Sequence, residues 1–303
     1  MKYIETRSLN GWLIIDKQIS NTSTSVVNNL KRILRAKKAG HAGTLDPEAT
    51  GILAVAFGEA TKTIPYLVKA QKSYKFSIVF GASTNTDDAT GSVIKTSEKR
   101  PSNEDLKSCL NQFVGKVYQV PPAVSAIKIN GERAYSRFRK GEENLVLKPR
   151  ELWVNELSFI RRIDKSSAQL SVTCGKGGYV RSIARDIGEL LGCYAHAKEI
   201  RRTSSGPFTL ADTVDNTLIT TKNSLELEKR ILPTHACLKH INHVNCSLVE
   251  ANKLKNGQPI VNNYMLSDGT EALLLLDGRP ISLCLVENKK IFPKRVFLLD
   301  LDY

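Results

Sequence analysis

Residues 40–57 read GHAGTLDPEATGILAVAF, a glycine-punctuated loop that runs straight into an apolar stretch of strand length. Glycines at 40, 43 and 51 open backbone angles closed to other residues, and Pro47 biases Asp46 away from helical angles toward an extended backbone. A loop built this way presents one carboxylate, Asp46, from a fixed loop end near His41. Judged by residue type alone, Asp46 is one of 30 carboxylates in the chain, and Asp-Pro also begins ordinary turns. No Ser-His-Asp or Cys-His set can be singled out.

Working outward, residues 11–16 (GWLIID) form a strand ahead of the loop. A Ser/Thr-rich turn follows, with Ser23 or Thr24 as the expected N-cap. Val26, Val27, Leu30, Ile33 and Leu34 then fall on one helical stripe. Lys31, Arg32, Arg35, Lys37 and Lys38 close this helix; they suit its dipole as well as they would suit RNA. Past the loop, a short helix is expected over 59–68. Tyr74, Phe76, Ile78 and Phe80 show strand alternation, and 103–114 reads as a capped amphipathic helix. Residues 117–163 read as strands around a basic segment at 133–140, and 169–174 as a further strand. A Gly-Lys-Gly-Gly turn and a second apolar stripe, Val180 to Leu191, come next. The mixture predicts an α+β fold with a mixed, largely antiparallel sheet. Beyond Pro233 short strands alternate with Asp-Gly turns, which predicts a small C-terminal β domain. The expected division is 1–235 and 236–303.

The chain has 303 residues, 41% of them apolar, ample for a sizeable core, and a formal charge of +14. Residues 1–232 hold 36 basic and 23 acidic side chains, while 233–303 hold 8 and 7, so a polyanion partner is expected for the first part, nucleic acid ahead of an acidic membrane. No apolar run approaches membrane-spanning length, and Glu5 interrupts the N-terminal residues, so neither a membrane span nor secretion is expected. Six cysteines without a CxxC pair fit a reducing cytoplasm. Cys237, His240, His243 and Cys246 are each three apart, yet on a helix the first and last would face opposite ways, so zinc is not the favoured reading. Residues 175–178 are not a P-loop and read as a tight strand–helix turn; Arg181 and Arg185, four apart, read on spacing alone as surface cations.

Five blocks carry a resemblance: GWLIIDK (11–17), AGHAGTLDPEATGILAVAFGEATK (39–62), KSYKFSIVFGASTNTDDATG (72–91), VPPAVSAIKINGERAYSRFRKG (120–141) and CGKGGYVRSIARDIGELLG (174–192). In this order and spacing, and continuing through EIRRTSSGPF (199–208) and KLKNGQPI (253–260), they resemble the TruB family, the tRNA pseudouridine-55 synthases. The resemblance implies a pseudouridine synthase catalytic domain followed by a small PUA-like RNA-binding domain. It implies isomerisation of uridine in the T loop of tRNA by base flipping, with no metal or organic cofactor. Asp46 matches the catalytic aspartate, as nucleophile or in forming a glycal, and Arg181 the arginine that pairs with it. Tyr74 matches the tyrosine that stacks on the flipped base, and Ile200 an apolar residue packing on the uracil. His41 matches the histidine that fills the gap left by flipping; Lys17 and Lys62 match basic positions near the cleft, with a pairing or phosphate-contact role in substrate binding. A monomer is the default.

The sequence departs from the family pattern in two places. Gln18-Ile19-Ser20 stands where the family usually has Pro and Gly after Asp-Lys, which predicts a less rigid turn and leaves its contact to the loop open. Glu48 stands where Leu is common. Neither removes a reacting group. Two rivals remain: a guide-dependent relative acting on ribosomal RNA, which the short N-terminus argues against, and a non-catalytic RNA-binding or tRNA-folding factor, which the same basic cleft would serve.

Overall fold

A computed structural model describes residues 6–129, 131–142 and 146–299. Its main sheet follows from the apolar runs. Gly11–Lys17 pairs antiparallel with Thr50–Phe57, and both are buried along nearly their whole length because each face is covered. Across the sheet the order is Gly11–Lys17, Thr50–Phe57, Ala195–Ser205, Lys72–Phe80, Ser167–Cys174, Arg150–Asp164 and Gly115–Gln119, with Ala39–His41 and Phe208–Thr209 as short additions. Pairing is antiparallel except where Ala195–Ser205 meets Thr50–Phe57, with Arg201 opposite Thr50 and Arg202 opposite Gly51. That parallel contact is close: a Cβ on Gly51, whose φ is +96°, would lie 2.2 Å from the Arg202 carbonyl oxygen, so only glycine fits.

Helices fall on the faces that the apolar stripes dictate. Leu106, Cys109 and Leu110 of Asn103–Leu110, with Ile183, Ala184 and Ile187 of Val180–Leu190, pack on Phe76, Ile78, Phe80, Leu170 and Val172. Val26, Val27, Leu30 and Ile33 of Ser23–Ile33 pack on Leu13, Ile15, Leu53 and Val55. The opposite face of those two strands, Trp12, Ile14, Ile52, Ala54 and Ala56, is covered by Leu238, Ile241, Leu273, Leu283 and Phe297, so the C-terminal sheet shares a core with the main one. This second sheet orders Asn242–Asn245, Glu271–Leu276, Arg279–Glu287, Lys290–Val296 and Ile260–Val261. The α+β class with a largely antiparallel sheet and a small C-terminal β unit is the architecture observed.

Two local expectations are corrected. The N-cap of the first helix is Thr22, whose Oγ1 accepts from the Ser25 N–H at 3.0 Å, which leaves the Ser23 hydroxyl free for another use. The basic segment at 133–140 is mostly helix, Ala134–Arg139, preceded by the two-residue strands Lys128–Ile129 and Glu132–Arg133. Its cations are partly paired along the chain, Arg137 with Glu142 and Lys140 with Glu132.

Candidate active site

Asp46 lies between Ala39–His41 and Thr50–Phe57, and the backbone on either side of it is fastened. Ser23, 2% exposed, uses one hydroxyl twice: its Oγ accepts from the Leu45 N–H at 2.9 Å and donates to the Leu45 carbonyl at 3.0 Å. On the other side, the Pro47 carbonyl accepts from the Ser20 N–H at 2.9 Å and from the Lys17 ammonium at 3.0 Å. Within the loop the Ala49 N–H donates to the Asp46 carbonyl at 3.1 Å, closing a tight turn. The peptides flanking Asp46 are thus held by the 17–23 segment, while the Asp46 side chain stays 44% exposed.

Arg181 meets that carboxylate. Its Nε is 2.9 Å from Asp46 Oδ2, and its remaining guanidinium nitrogens donate to the Thr86 and Val124 carbonyls, each at 2.9 Å. Asp88 adds a second carboxylate 3.6 Å from Nη1. At 4% exposure the guanidinium is a fixed scaffold rather than the surface cation that spacing alone suggests. Arg185, one turn on, is likewise spoken for by Asp87 at 2.7 Å and Asp186 at 2.8 Å. A charged, planar donor in a dry surround orients a carboxylate strongly.

The pair opens onto a cavity of about 400 Å³ whose lining includes Tyr74, Ile200, Lys72, Arg202, Tyr179 and the turn at 175–178. Bulges in Ala195–Ser205 between Lys198 and Arg201, and again between Arg202 and Ser204, aim Ile200 and Arg202 into it. Burial pushes the Tyr74 hydroxyl up, against the opposing pull of Arg202. His41 is held below its ordinary value by burial and then by Arg202, which leaves a neutral imidazole near pH 7; its Nδ1 is buried with no hydrogen-bond partner among the described residues.

Asp46, Arg181, Tyr74 and Ile200 are therefore brought together. The two lysines do not join them in the cavity lining. Lys17 is 0% exposed, and its ammonium donates to the carbonyls of Gln18, Asn21 and Pro47 at 3.0, 2.8 and 3.0 Å, so it has no proton left for a phosphate. Burial lowers it to about 8, against the raising effect of Asp46 and Glu48. Lys62 sits away from the cavity lining, bonded to Glu59 at 2.5 Å and to the Val296 carbonyl at 2.8 Å, where it ties the main sheet to the C-terminal one. The turn bearing Gln18 keeps its contact to the loop: Ser20 takes φ +67° and its N–H donates to the Pro47 carbonyl. Glu48 points to solvent.

Three residues escaped the sequence reading. Arg202, 1% exposed, donates from Nε to the Ile52 carbonyl at 2.7 Å and from Nη2 to the Gly43 carbonyl at 3.1 Å, pinning the loop to the strand beside it. Strand parity with Ile200 was the available signal. Lys72 caps the Ile64–Lys69 helix through the Leu67, Val68 and Ala70 carbonyls, at 2.8, 2.7 and 2.6 Å. Burial lowers it to about 8. Ser23 was legible as a helix start, not as a clamp.

The Cys237–Cys246 stretch is dispersed. Cys237 Sγ lies 3.3 Å from Thr63 Oγ1 in the shared core, Cys246 belongs to the core of the second sheet, and His243 faces the Leu238 carbonyl at 3.1 Å. Among the described residues no group of three or more His, Cys, Asp or Glu is placed to hold a metal ion. No helix among them is long and apolar enough to cross a membrane.

Comparison with known proteins adds the family. Residues 31–180 match the TruB family pseudouridylate synthase N-terminal domain, and 181–239 the tRNA pseudouridylate synthase B C-terminal domain. A tRNA pseudouridine synthase B of Ruegeria sp. (strain TM1040) is 47% identical over 97% of this chain and 98% of its own length. Its counterpart in Paracoccus denitrificans (strain Pd 1222) is 44% identical over 97% and 98%. Among solved structures, the fold is shared with an H/ACA RNP bound to a substrate RNA containing 2'-deoxyuridine, at TM-score 0.73, 20% identity and coverage of 98% of this chain and 93% of that one. A Cbf5-Nop10-Gar1 complex gives 0.74, 22%, 98% and 92%. On these matches, and on the site just described, the chain belongs to the TruB family of pseudouridylate synthases.

Proposed function

We propose that this enzyme converts uridine to pseudouridine at position 55, in the T loop of tRNA, with Asp46 acting at C1′ of the flipped nucleotide. The carrying observation is the 2.9 Å Asp46–Arg181 pair at a cavity lined by Tyr74 and Ile200. Isomerisation breaks C1′–N1, turns the uracil in place and joins C5 to C1′; C5 loses its hydrogen to solvent and N1 gains one, so atoms balance without an oxidant or reductant. A carboxylate at this place serves either as nucleophile at C1′ or in forming a glycal. Arg181, a charged donor 2.9 Å away, keeps it oriented. Tyr74 stacks on the base and relays the C5 proton, giving its own hydroxyl proton to solvent as it accepts the one from C5; Ile200 packs on the uracil, and neutral His41 fills the gap in the RNA.

Extracting a stacked uridine costs a few kcal/mol, offset by stacking and backbone contacts. The net positive charge of residues 1–232 supplies the salt-dependent part of affinity. The catalytic part is 1–235, and 236–303, close to neutral, adds a modest RNA contact. The enzyme works as a monomer in the cytoplasm. The test is to incubate a tRNA transcript with the enzyme and map pseudouridine by carbodiimide adducts and primer extension. One new stop at the T-loop uridine is expected; bound RNA without a stop would favour the tRNA-folding reading, and a stop elsewhere would move the target.

A further inference from the structure

Arg202 stands directly opposite Tyr74. Between the two bulges of Ala195–Ser205 the register with Lys72–Phe80 holds at two consecutive positions, Arg201 opposite Lys75 and Arg202 opposite Tyr74. Directly opposed residues of an antiparallel pair share a face, and Arg202 and Tyr74 both line the cavity. Arg201, turned the other way, is taken by Asp16 at 2.7 Å.

The Arg202 guanidinium has little room to move. Its Nε and Nη2 are held by the Ile52 and Gly43 carbonyls, and a Cβ on Gly43 would lie 3.5 Å from Nη1, so the loop that carries Asp46 rests against it. The other cations lining the cavity are committed or distant from this hydroxyl. Arg181 is spent on Asp46, Thr86 and Val124, Lys72 gives three protons to carbonyls, and Lys176 stands exposed in the turn at 175–178. Burial pushes the Tyr74 hydroxyl up; Arg202 draws it down, by its charge and by hydrogen bonding, while Cys174 and Asp46 push it further up. Burial raises the Cys174 thiol to about 11, which leaves it uncharged, so the charges facing Tyr74 are the Arg202 cation and the Asp46 carboxylate.

We propose that Arg202 is the positioning residue for the proton relay: it holds the Tyr74 hydroxyl in place and stabilises the negative charge that builds on its oxygen as the hydroxyl proton leaves. This role rests on the reading of Tyr74 as the residue that relays the C5 proton. In that step the C5–H bond breaks and its electron pair forms the C5–C6 double bond, while the C6–N1 pair moves to N1, which takes a proton from solvent. The C5 proton joins the Tyr74 oxygen as the original hydroxyl proton goes to solvent. A cation already fixed beside that oxygen lowers the cost of the passing charge without reorganising.

The test compares single-turnover rates on tRNA transcripts carrying hydrogen or deuterium at C5 of uridine, at saturating enzyme. Arg202→Gln is expected to lower the rate about a hundredfold with RNA affinity within about twofold, and Arg202→Lys, which keeps the charge but cannot span Ile52, Gly43 and Tyr74, about tenfold. In both, the ratio of the hydrogen rate to the deuterium rate is expected to exceed the wild-type ratio at least about twofold, because proton removal has become slow. Arg202→Lys retains the buried charge and so tests the role even where Arg202→Gln does not fold. A fall in rate with the ratio unchanged in every variant that folds would overturn the proposal, since Arg202 would then only pin the loop through Gly43. A rate unmoved by either replacement would overturn it too. Tyr74→Phe at the wild-type rate would instead sink the reading of Tyr74, and a wild type that makes no pseudouridine the functional reading.

Discussion

Residues 40–51 and 237–246 are both short and crowded with side chains able to do chemistry, yet they end in opposite states. In the first, two hydrogen bonds from Ser23 hold Leu45, two donors from Ser20 and Lys17 hold Pro47, and Asp46 between them keeps 44% of its side chain in solvent. In the second, Cys237 is 1% exposed beside Thr63, Cys246 packs under a different sheet, and burial pushes both thiols up to about 11. A thiol held protonated and shut off from solvent is neither nucleophile nor ligand. What makes a reactive side chain a site is a fixed backbone under an accessible head group, and only the first stretch has both.

The largest effect that would break this contrast is at Asp46. Asp46→Asn is expected to lower pseudouridine formation about a thousandfold or more in primer-extension maps, because an amide neither attacks C1′ nor assists proton loss. Arg181→Lys keeps the charge but cannot span Asp46, Thr86 and Val124 at once, so kcat is expected to fall roughly a hundredfold with KM nearly unchanged; a change of less than about threefold would show that the guanidinium does not orient the carboxylate. Ser23→Ala removes both bonds to Leu45 and is expected to cost about tenfold in kcat, since small misplacements of a reacting group are expensive.

Smaller effects sharpen it further. Lys17, at about 8 in the fold against an ordinary 10.5, loses its charge beside Asp46 as pH rises past 8. Between those values the unfolded chain binds more protons than the native one, so this lysine makes the fold more stable with rising pH, and a fall in kcat there is not unfolding. About a fivefold fall above pH 8 is expected, moved upward in Lys17→Arg, whose guanidinium stays charged; this replacement separates Lys17 from Lys72, which titrates at a similar value. A flat profile to pH 9.5 would show that the Lys17 charge does not act on the reaction. Last, a strong zinc chelator is expected to leave both activity and Tm unchanged, and a loss of either would reunite Cys237, His240, His243 and Cys246 as a metal site.

Legibility followed the range of the interactions. The strands at 11–17 and 50–57 and the helix at 180–190 could be read from apolar runs and stripes, because burial imposes those periods locally. Asp46 could be isolated from the other carboxylates only through family resemblance, since what distinguishes it is a partner 135 positions away, Arg181. That arginine looked like a helix-surface cation because spacing says nothing of the Thr86 and Val124 carbonyls that surround it. Resemblance gave Lys17 and Lys62 a pairing or phosphate-contact role near the cleft, and the carbonyls that take up their protons lie outside any local pattern. The bulges that aim Ile200 and Arg202 depend on pairing with Lys72–Phe80, which no local pattern announces.

The most direct test of the account is single-turnover tritium release from a tRNA transcript labelled at C5 of uridine, run with wild type and Asp46→Asn at equal, measured occupancy of the RNA. C5 gives up its hydrogen only when it becomes the new glycosidic carbon. Release is expected from wild type, and none above background from Asp46→Asn on bound RNA. Release by Asp46→Asn within about tenfold of wild type would contradict it, because the chemistry would then run without the carboxylate around which this loop is built.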